Sequence, residues 1–402
     1  MSTPTINTEI GLFEKCRKYT RADEVKAQGL YPYFKPISES EDTVVVIEGQ
    51  KRIMLGSNNY LGLTHHPKVL EAASRALHLY GSGCTGSRFL NGTLDLHLQL
   101  EEALARFVNK EDCIVFSTGY NANLGLISGL VSKGDVVFLD KLDHASIVDG
   151  AKMSYGTTER FHHGDLEGLE RKLSRSDPAA GKMVIVDGVY SMEGDIANVP
   201  ALLRLCRRHG AALAIDDAHS IGVLGPNGDG TAPHYGLSDE VDIIAGTFSK
   251  SLASIGGFVA GARSVINYLR HHSRPLIFTA ALPPANTAGV LAALEVLQVE
   301  PERRDRLWVN TKRLADGFQS LGFDIGPSET PIIPILIGPL EKTLVMWRKV
   351  FDAGVFTNPV VPPAVPPSQC RLRTSLMASH TNDQIDYCLE TIGRLGRELG
   401  VI

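Results

Sequence analysis

Six short apolar runs constrain this chain more than any other feature of its sequence. They are Cys113-Ile-Val-Phe-Ser, Val136-Val-Phe-Leu-Asp, Met183-Val-Ile-Val-Asp, Ala212-Leu-Ala-Ile-Asp, Asp242-Ile-Ile-Ala-Gly and Gly257-Phe-Val-Ala-Gly. Each is strand-length and hydrophobic without alternation, which is the pattern of a strand covered on both faces. Amphipathic stretches such as 67–80 and 94–107 accompany them. Strands alternating with helices predict an α/β fold, a mostly parallel central sheet with helices on both faces. Ligands of such sheets bind beyond the carboxyl ends of the strands. The polar residues that close these runs are therefore the first place to look for chemistry.

The chain has 402 residues, enough for two or three units at roughly 100–200 residues each. An N-terminal segment, 1–58, combines a charged helix-like stretch over 10–29 with an extended run from Thr43 to Met54, in which Gly49-Gln50 reads as a hairpin turn. The runs and amphipathic stretches fill a large domain, 59–293. A smaller α+β domain, 294–402, is expected from a helix over 303–321, the strand-like Pro331-Ile-Ile-Pro-Ile-Leu-Ile and a stiff loop, Asn358-Pro-Val-Val-Pro-Pro-Ala-Val-Pro-Pro.

Composition removes several function classes. A formal net charge of −5 leaves no basic excess to neutralise a phosphate backbone, so nucleic acid is not an expected partner. The six cysteines are scattered with no CxxC pair, which suits buried thiols in a reducing cytoplasm and no zinc site. No apolar stretch reaches the ~20 residues of a membrane span, although contact with a membrane surface stays open. Met1-Ser-Thr-Pro-Thr-Ile-Asn-Thr-Glu has neither the basic nor the apolar region of a signal peptide. The pairs His65-His66, His162-His163 and His271-His272 lack the i, i+4 spacing of a helical metal site and are expected at the solvated surface; no metal is expected.

Gly81-Ser-Gly83-Cys-Thr-Gly86 matches the dinucleotide pattern GxGxxG, but an amphipathic stretch precedes it where the fingerprint needs a strand. A glycine-rich bend accounts for it better. More informative is Asp216-Asp217-Ala-His219, which puts two carboxylates and an imidazole just past a buried run. A carboxylate stranded there is costly unless a cation pairs with it. Lys250 follows another run, in Gly246-Thr247-Phe-Ser249-Lys250, among hydroxyls and small residues. A lysine amine in such a pocket, its pKa lowered, is a Schiff-base nucleophile. Ser117-Thr118-Gly119-Tyr120-Asn121 ends a run and opens a helix, a ready phosphate cradle. A phosphate cradle, a carboxylate and a reactive lysine are the protein's parts for pyridoxal 5′-phosphate.

With these residues in place, the chain resembles the fold-type I pyridoxal-phosphate enzymes, and among them the α-oxoamine synthases. These condense an amino acid with an acyl thioester and lose CO2. The resemblance runs from about residue 29 to 380. It is carried by Ser57-Asn58-Asn59-Tyr60-Leu-Gly62, Asp143-His144-Ala-Ser, Tyr190-Ser191-Met-Glu-Gly194-Asp195, Asp216-Asp-Ala-His219, Thr247-Phe-Ser-Lys250 and Arg371-Leu-Arg373-Thr-Ser-Leu-Met-Ala-Ser-His380. It implies that Lys250 holds the cofactor as a Schiff base and moves the Cα proton, and that Asp216 pairs with the ring nitrogen. His219 and Ser191 would meet the phenolic oxygen, and His144 would stack on the ring. Gly119, Tyr120 and Thr247 would hold the phosphate, joined by Thr279 from a partner, since the family's active sites form between the subunits of a homodimer. Arg373 with Asn58 would grip the substrate carboxylate. Asp187 stands where many members carry Glu.

Within the family, Gly29-Leu-Tyr-Pro-Tyr-Phe, Thr85-Gly-Ser-Arg-Phe-Leu-Asn-Gly-Thr and the loop Pro363-Ala-Val365-Pro are similar to the soluble bacterial branch that uses L-serine and palmitoyl-CoA. Some members of that branch have Thr at the position of Val365. The implied substrates are L-serine and a long-chain acyl-CoA. Another α-oxoamine synthase, using glycine or alanine and a different acyl group, is the alternative. A silent partner subunit would lack the lysine, and Lys250 is present.

Overall fold

The computed structural model describes residues 11–402; residues 1–10, which include the start searched for a signal peptide and the first residue of the helix-like stretch, lie outside the described residues. Two short helices, Glu14–Arg17 and Arg21–Ala27, fall within the helix-like stretch and precede three strands, β1 (Ile37–Glu41), β2 (Val44–Ile47) and β3 (Gln50–Met54). Ile47 pairs with Gln50, so the turn is Glu48-Gly49, one residue earlier than the sequence pattern suggests. Both turn residues have positive φ, 54° and 72°. That is the geometry whose twist matches two antiparallel strands joined by two residues.

Seven strands then build the central sheet: β4 (Asp112–Phe116), β5 (Val136–Asp140), β6 (Thr157–Phe161), β7 (Lys182–Asp187), β8 (Ala212–Asp216), β9 (Ile243–Thr247) and β10 (Gly257–Gly261). Their order is β4-β10-β9-β8-β7-β5-β6. Only β10 runs against its neighbours β4 and β9. The side-chain period of two sorts each strand between two cores. Ile114, Phe116, Val137, Leu139 and Ile185 face the helices Gly119–Leu130, Ala145–Met153 and Arg263–His272. Cys113, Val115, Phe138, Val184 and Ile215 face the larger core, with Asp95–Phe107, Val199–His209 and Pro284–Val299. Phe138 is fully buried there. Truncating such a phenylalanine to alanine costs about 3–5 kcal/mol.

The helices begin and end where side chains dictate. Pro67 opens Pro67–Tyr80 at a position whose N–H has no helical partner, and Gly81, at φ 83°, closes it. Asn198 caps Val199–His209 by accepting from Ala201 N, and Gly210 ends it in the left-handed conformation.

In the last part of the chain, β11 (Ile332–Gly338), β13 (Asn358–Val360) and β14 (Cys370–Ser375) form an antiparallel sheet in the order β11-β14-β13. The two-residue strand β12 (Val355–Phe356) instead joins the N-terminal sheet, pairing in parallel with Ile53 and Met54 of β3. The opening hairpin is thereby stitched to the C-terminal region. Pro284–Val299 crosses residue 293 as one uninterrupted helix. Among the described residues, no helix is long and apolar enough to cross a membrane.

Candidate active site

The carboxyl ends of β4, β7, β8 and β9 surround a cavity of about 330 Å³. Of the residues singled out from the sequence, Gly119, Tyr120, His144, Ser191, Asp216, His219, Thr247 and Lys250 all line it. Chain geometry explains the gathering: in a parallel sheet each crossover returns the next strand to the same edge.

Thr118 caps the helix Gly119–Leu130, its hydroxyl accepting from Asn121 N at 3.0 Å. The first N–H groups of that helix have no partner within it, as at any helix start. A Cβ on Gly119 would lie 2.6 Å from Thr247 Oγ1 and 2.7 Å from Thr247 Cβ, so only glycine lets this helix start approach β9 so closely. Thr247 Oγ1 bonds Ser249 Oγ at 2.9 Å, which brings two hydroxyls beside those N–H groups. A helix start with free N–H groups beside two hydroxyls has the donors that a phosphate would need.

Asp216 is 5% exposed at the end of β8. Its Oδ2 accepts from Asn123 Nδ2 at 2.6 Å and its Oδ1 from Ala218 N at 3.0 Å. Asn123 also donates to Ser146 Oγ at 2.9 Å, and Ser146 Oγ bonds His144 Nδ1 at 2.8 Å. A continuous polar chain thus holds Asp216 and His144 in fixed orientation. Burial pushes the His144 imidazole down and keeps it neutral, with Asp216 opposing and Lys250 reinforcing the shift. His219 is driven well below the usual histidine range by burial and by the cations of Lys250 and Arg373.

Lys250 follows β9 in a tight loop closed by Phe248 N to Gly256 O (2.9 Å) and Ala253 N to Lys250 O (3.0 Å). Its amine is pushed down to about 8 by burial, against the attraction of Asp216 and Asp187. Such an amine holds a large neutral fraction near physiological pH, which a nucleophile requires.

Asn58 and Arg373 lie just beyond the cavity lining. Arg373, 5% exposed on β14, donates from Nε to Ser191 O (2.6 Å), from Nη1 to Ser375 Oγ (2.8 Å) and from Nη2 to Asn58 Oδ1 (3.0 Å). Thr279 does not line the cavity of its own chain. It is half-buried next to Ala280, which bridges to Ser87 and accepts a hydrogen bond from Ser117 Oγ.

The structure adds one residue that the motifs do not flag and gives two others contacts that the sequence did not assign. Asn123 sits inside a helix, where no local pattern marks it. Asp187 lines the cavity and accepts His144 N at 3.1 Å; burial and Asp216 push its carboxyl well above the usual range. His163 departs from the expected solvated surface. It bridges Asp140 (3.1 Å) and Asp195 (2.8 Å) and meets Tyr190 edge-on at 4.3 Å between ring centroids. The two acids lift its imidazolium to about 10. Sequence spacing hides this cluster because its members come from three separate strand ends and loops.

The donor set fits pyridoxal 5′-phosphate. Glycine at 119 leaves room for a phosphate, Asp216 presents an anion inside the cavity, and no hydrogen bond or ion pair among the described residues engages Lys250 Nζ.

Fold and cavity define an α/β enzyme, and the chain belongs to the aminotransferase class I and II family, whose model matches residues 50–392. It is 49% identical to the serine palmitoyltransferase of Sphingobacterium spiritivorum, an alignment covering 96% of this chain and 97% of that one. The 8-amino-7-oxononanoate synthase of Thermoanaerobacter pseudethanolicus is 40% identical over 95% of this chain and 97% of its own. A solved structure of SPT with its PLP internal aldimine superposes with a TM-score of 0.94 at 38% identity, covering 97% of this chain and 99% of that one.

Proposed function

We propose that this chain is a serine palmitoyltransferase: it condenses L-serine with palmitoyl-CoA, releasing CoA and CO2 and forming 3-oxosphinganine, with pyridoxal 5′-phosphate as cofactor. The observation that carries the substrate assignment is the near full-length identity of 49% to a serine palmitoyltransferase, against 40% to an 8-amino-7-oxononanoate synthase.

When bound, pyridoxal phosphate supplies a ring that accepts the electrons left on the amino acid's Cα. The rest of the work belongs to this chain. Gly119 and Tyr120 at the helix start and the Thr247 hydroxyl hold the phosphate. Lys250, its amine lowered to about 8, would hold the cofactor through Nζ and, once freed by the amine of serine, would move the Cα proton. Asp216, kept in place by Asn123, holds a proton on the ring nitrogen by charge. His219 would donate to the phenolic oxygen and Ser191 would lie close to the same atom, both lining the cavity. His144, anchored by Ser146, would pack on the ring face. Arg373 and Asn58 orient the serine carboxylate, so that the bond to be broken is fixed relative to the ring.

In this proposal the enzyme works in the cytoplasm as a homodimer, Thr279 of each protomer reaching the phosphate of the other. The acyl chain is long because the 83–93 segment and the proline-rich loop resemble the palmitoyl-using branch. Val365 of that loop is buried with Val360 and Cys370, and Met192, the neighbour of Ser191, packs against them. Steady-state rates across a matrix of amino acids and acyl-CoA chain lengths test the assignment. Peak kcat/KM with L-serine and palmitoyl-CoA is expected; a peak with alanine or glycine and another acyl group would replace the substrates and leave the cofactor chemistry standing.

A further inference from the structure

Tyr60 is 1% exposed and belongs to no role assigned above. Its backbone is pinned, its carbonyl accepting from Ala378 N at 2.7 Å. Its hydroxyl lies 2.7 Å from His219 Nδ1 and 3.4 Å from Asn58 Oδ1. The two rings are tilted by 59° at 6.1 Å between centroids, so they meet through the hydroxyl and not by stacking.

A phenol has one proton to give. Given to Asn58, it would span a distance too long for a good O–H···O bond. Asn58 Oδ1 already receives Arg373 Nη2 at 3.0 Å. Given to His219 Nδ1, the proton makes a short, well-placed bond and leaves the phenol oxygen free to face the Arg373 guanidinium. Burial pushes the Tyr60 phenol up to about 12, so it keeps that proton at working pH. A neutral imidazole whose Nδ1 accepts must carry its own proton on Nε2.

We infer that Tyr60 is a positioning residue that fixes the proton of His219 on Nε2 and couples His219 to the Arg373–Asn58 pair. The inference rests on the proposed roles of His219 and Arg373. A carboxylate arriving at Arg373 neutralises the charge facing the Tyr60 oxygen, and Tyr60 passes the change to His219. Substrate occupancy is then felt at the cofactor's phenolic oxygen without direct contact.

Two measurements test this. The first uses wild-type apo-protein labelled with 15N-histidine, His219 being assigned by His219→Asn. A bare Nδ1 and a protonated Nε2 are expected; the opposite tautomer overturns the inference, with or without any cofactor. Wild type alone decides this point, even if Tyr60→Phe does not fold. The second follows the pH midpoint of the visible absorbance of the pyridoxal-phosphate-loaded enzyme, with and without 3-hydroxypropanoate. This compound has serine's carboxylate and hydroxyl but no amine, so it cannot displace Lys250. A midpoint shift of about half a pH unit or more is expected in wild type, and its loss in Tyr60→Phe. An unchanged shift in Tyr60→Phe, or none in wild type, overturns the coupling. A protein that takes up no pyridoxal phosphate would instead sink the functional reading and leave the tautomer result intact.

Discussion

The guanidinium of Arg373 donates to Asn58 Oδ1 at 3.0 Å across 315 residues of sequence. Arg373 sits 5% exposed on a strand, and among the described residues its charge meets polar oxygens and no carboxylate. A buried cation without a counter-ion is costly, and in the role proposed for Arg373 a substrate carboxylate would supply what is missing. Hydrogen bonds to charged groups are worth about 1.5–3 kcal/mol. Arg373→Ala is therefore expected to raise the KM for L-serine roughly 10- to 100-fold with a smaller change in kcat, measured at saturating acyl-CoA. Equal losses in kcat and kcat/KM would remove Arg373 from substrate binding.

Lys250 makes a pH-dependent prediction. Its amine, pushed down to about 8, is protonated below that value and neutral above it. The rate at which apo-protein bonds to the aldehyde of added pyridoxal phosphate should rise about tenfold per pH unit up to ~8 and level off beyond. Absorbance after rapid mixing reads it directly. Lys250→Ala should trap no cofactor on borohydride reduction and lose turnover.

Asp216→Asn keeps the shape of the side chain and removes its charge. Loss of one preorganised electrostatic partner costs about 100- to 1,000-fold. Exchange of the serine Cα proton with solvent deuterium should slow by that much while Tm stays close to wild type. Exchange at the wild-type rate would dismiss the ring-nitrogen role.

Gly119→Ala introduces a methyl 2.6 Å from Thr247 Oγ1. Overpacking of this kind costs about 1–3 kcal/mol. The strain falls on the proposed phosphate corner, so faster loss of pyridoxal phosphate on dialysis is expected along with a lower Tm. Retention equal to wild type would place the phosphate elsewhere.

His163 ties the 190–195 turn to β5 through Asp195 and Asp140. Its pKa, raised from 6.5 to about 10, means that the folded state holds this proton more tightly than the unfolded chain does. The stabilisation is fully present below pH 6.5 and is lost as pH climbs through 10. The Tm difference between wild type and His163→Gln should accordingly be largest near pH 6 and shrink toward pH 10. A difference independent of pH would mean that packing on Tyr190, not charge, holds the turn.

What the sequence exposes and what it hides follow from burial. Val136–Asp140, Ala212–Asp216 and Gly257–Gly261 are legible to the residue because both faces are covered and hydrophobicity is unbroken. Thr157–Phe161 is not, since it pairs on one side only and its Thr-Thr-Glu-Arg residues meet water. The strand β1, Ile-Ser-Glu-Ser-Glu, escapes for the same reason: all five residues are exposed. Lys250 and Asp216 can be picked out because a charged group next to a buried strand needs an explanation. Asn123 looks like any helical asparagine until the fold sets it against Asp216. His163 is hidden by its neighbour His162, and the acids at helical spacing from it, Glu159 and Glu167, are not its partners. Its partners Asp140 and Asp195 come to it only through the sheet.

The chain order of these parts sets a timetable on the ribosome. Every residue lining the cavity lies between Thr118 and Gly256, and the last strand of the sheet around it ends at Gly261. Asn58 is made early but cannot meet Arg373 until β14 has emerged. At typical synthesis rates the gap is on the order of ten seconds. Through that interval the residues that line the sheet-end cavity have been made and the arginine proposed to receive substrate has not. Loss of the last few dozen residues would take Arg373 away together with Leu376, Ile385, Cys388 and Ile392 of the larger core, so the proposed amino-acid grip and the packing beneath it depend on the same late segment.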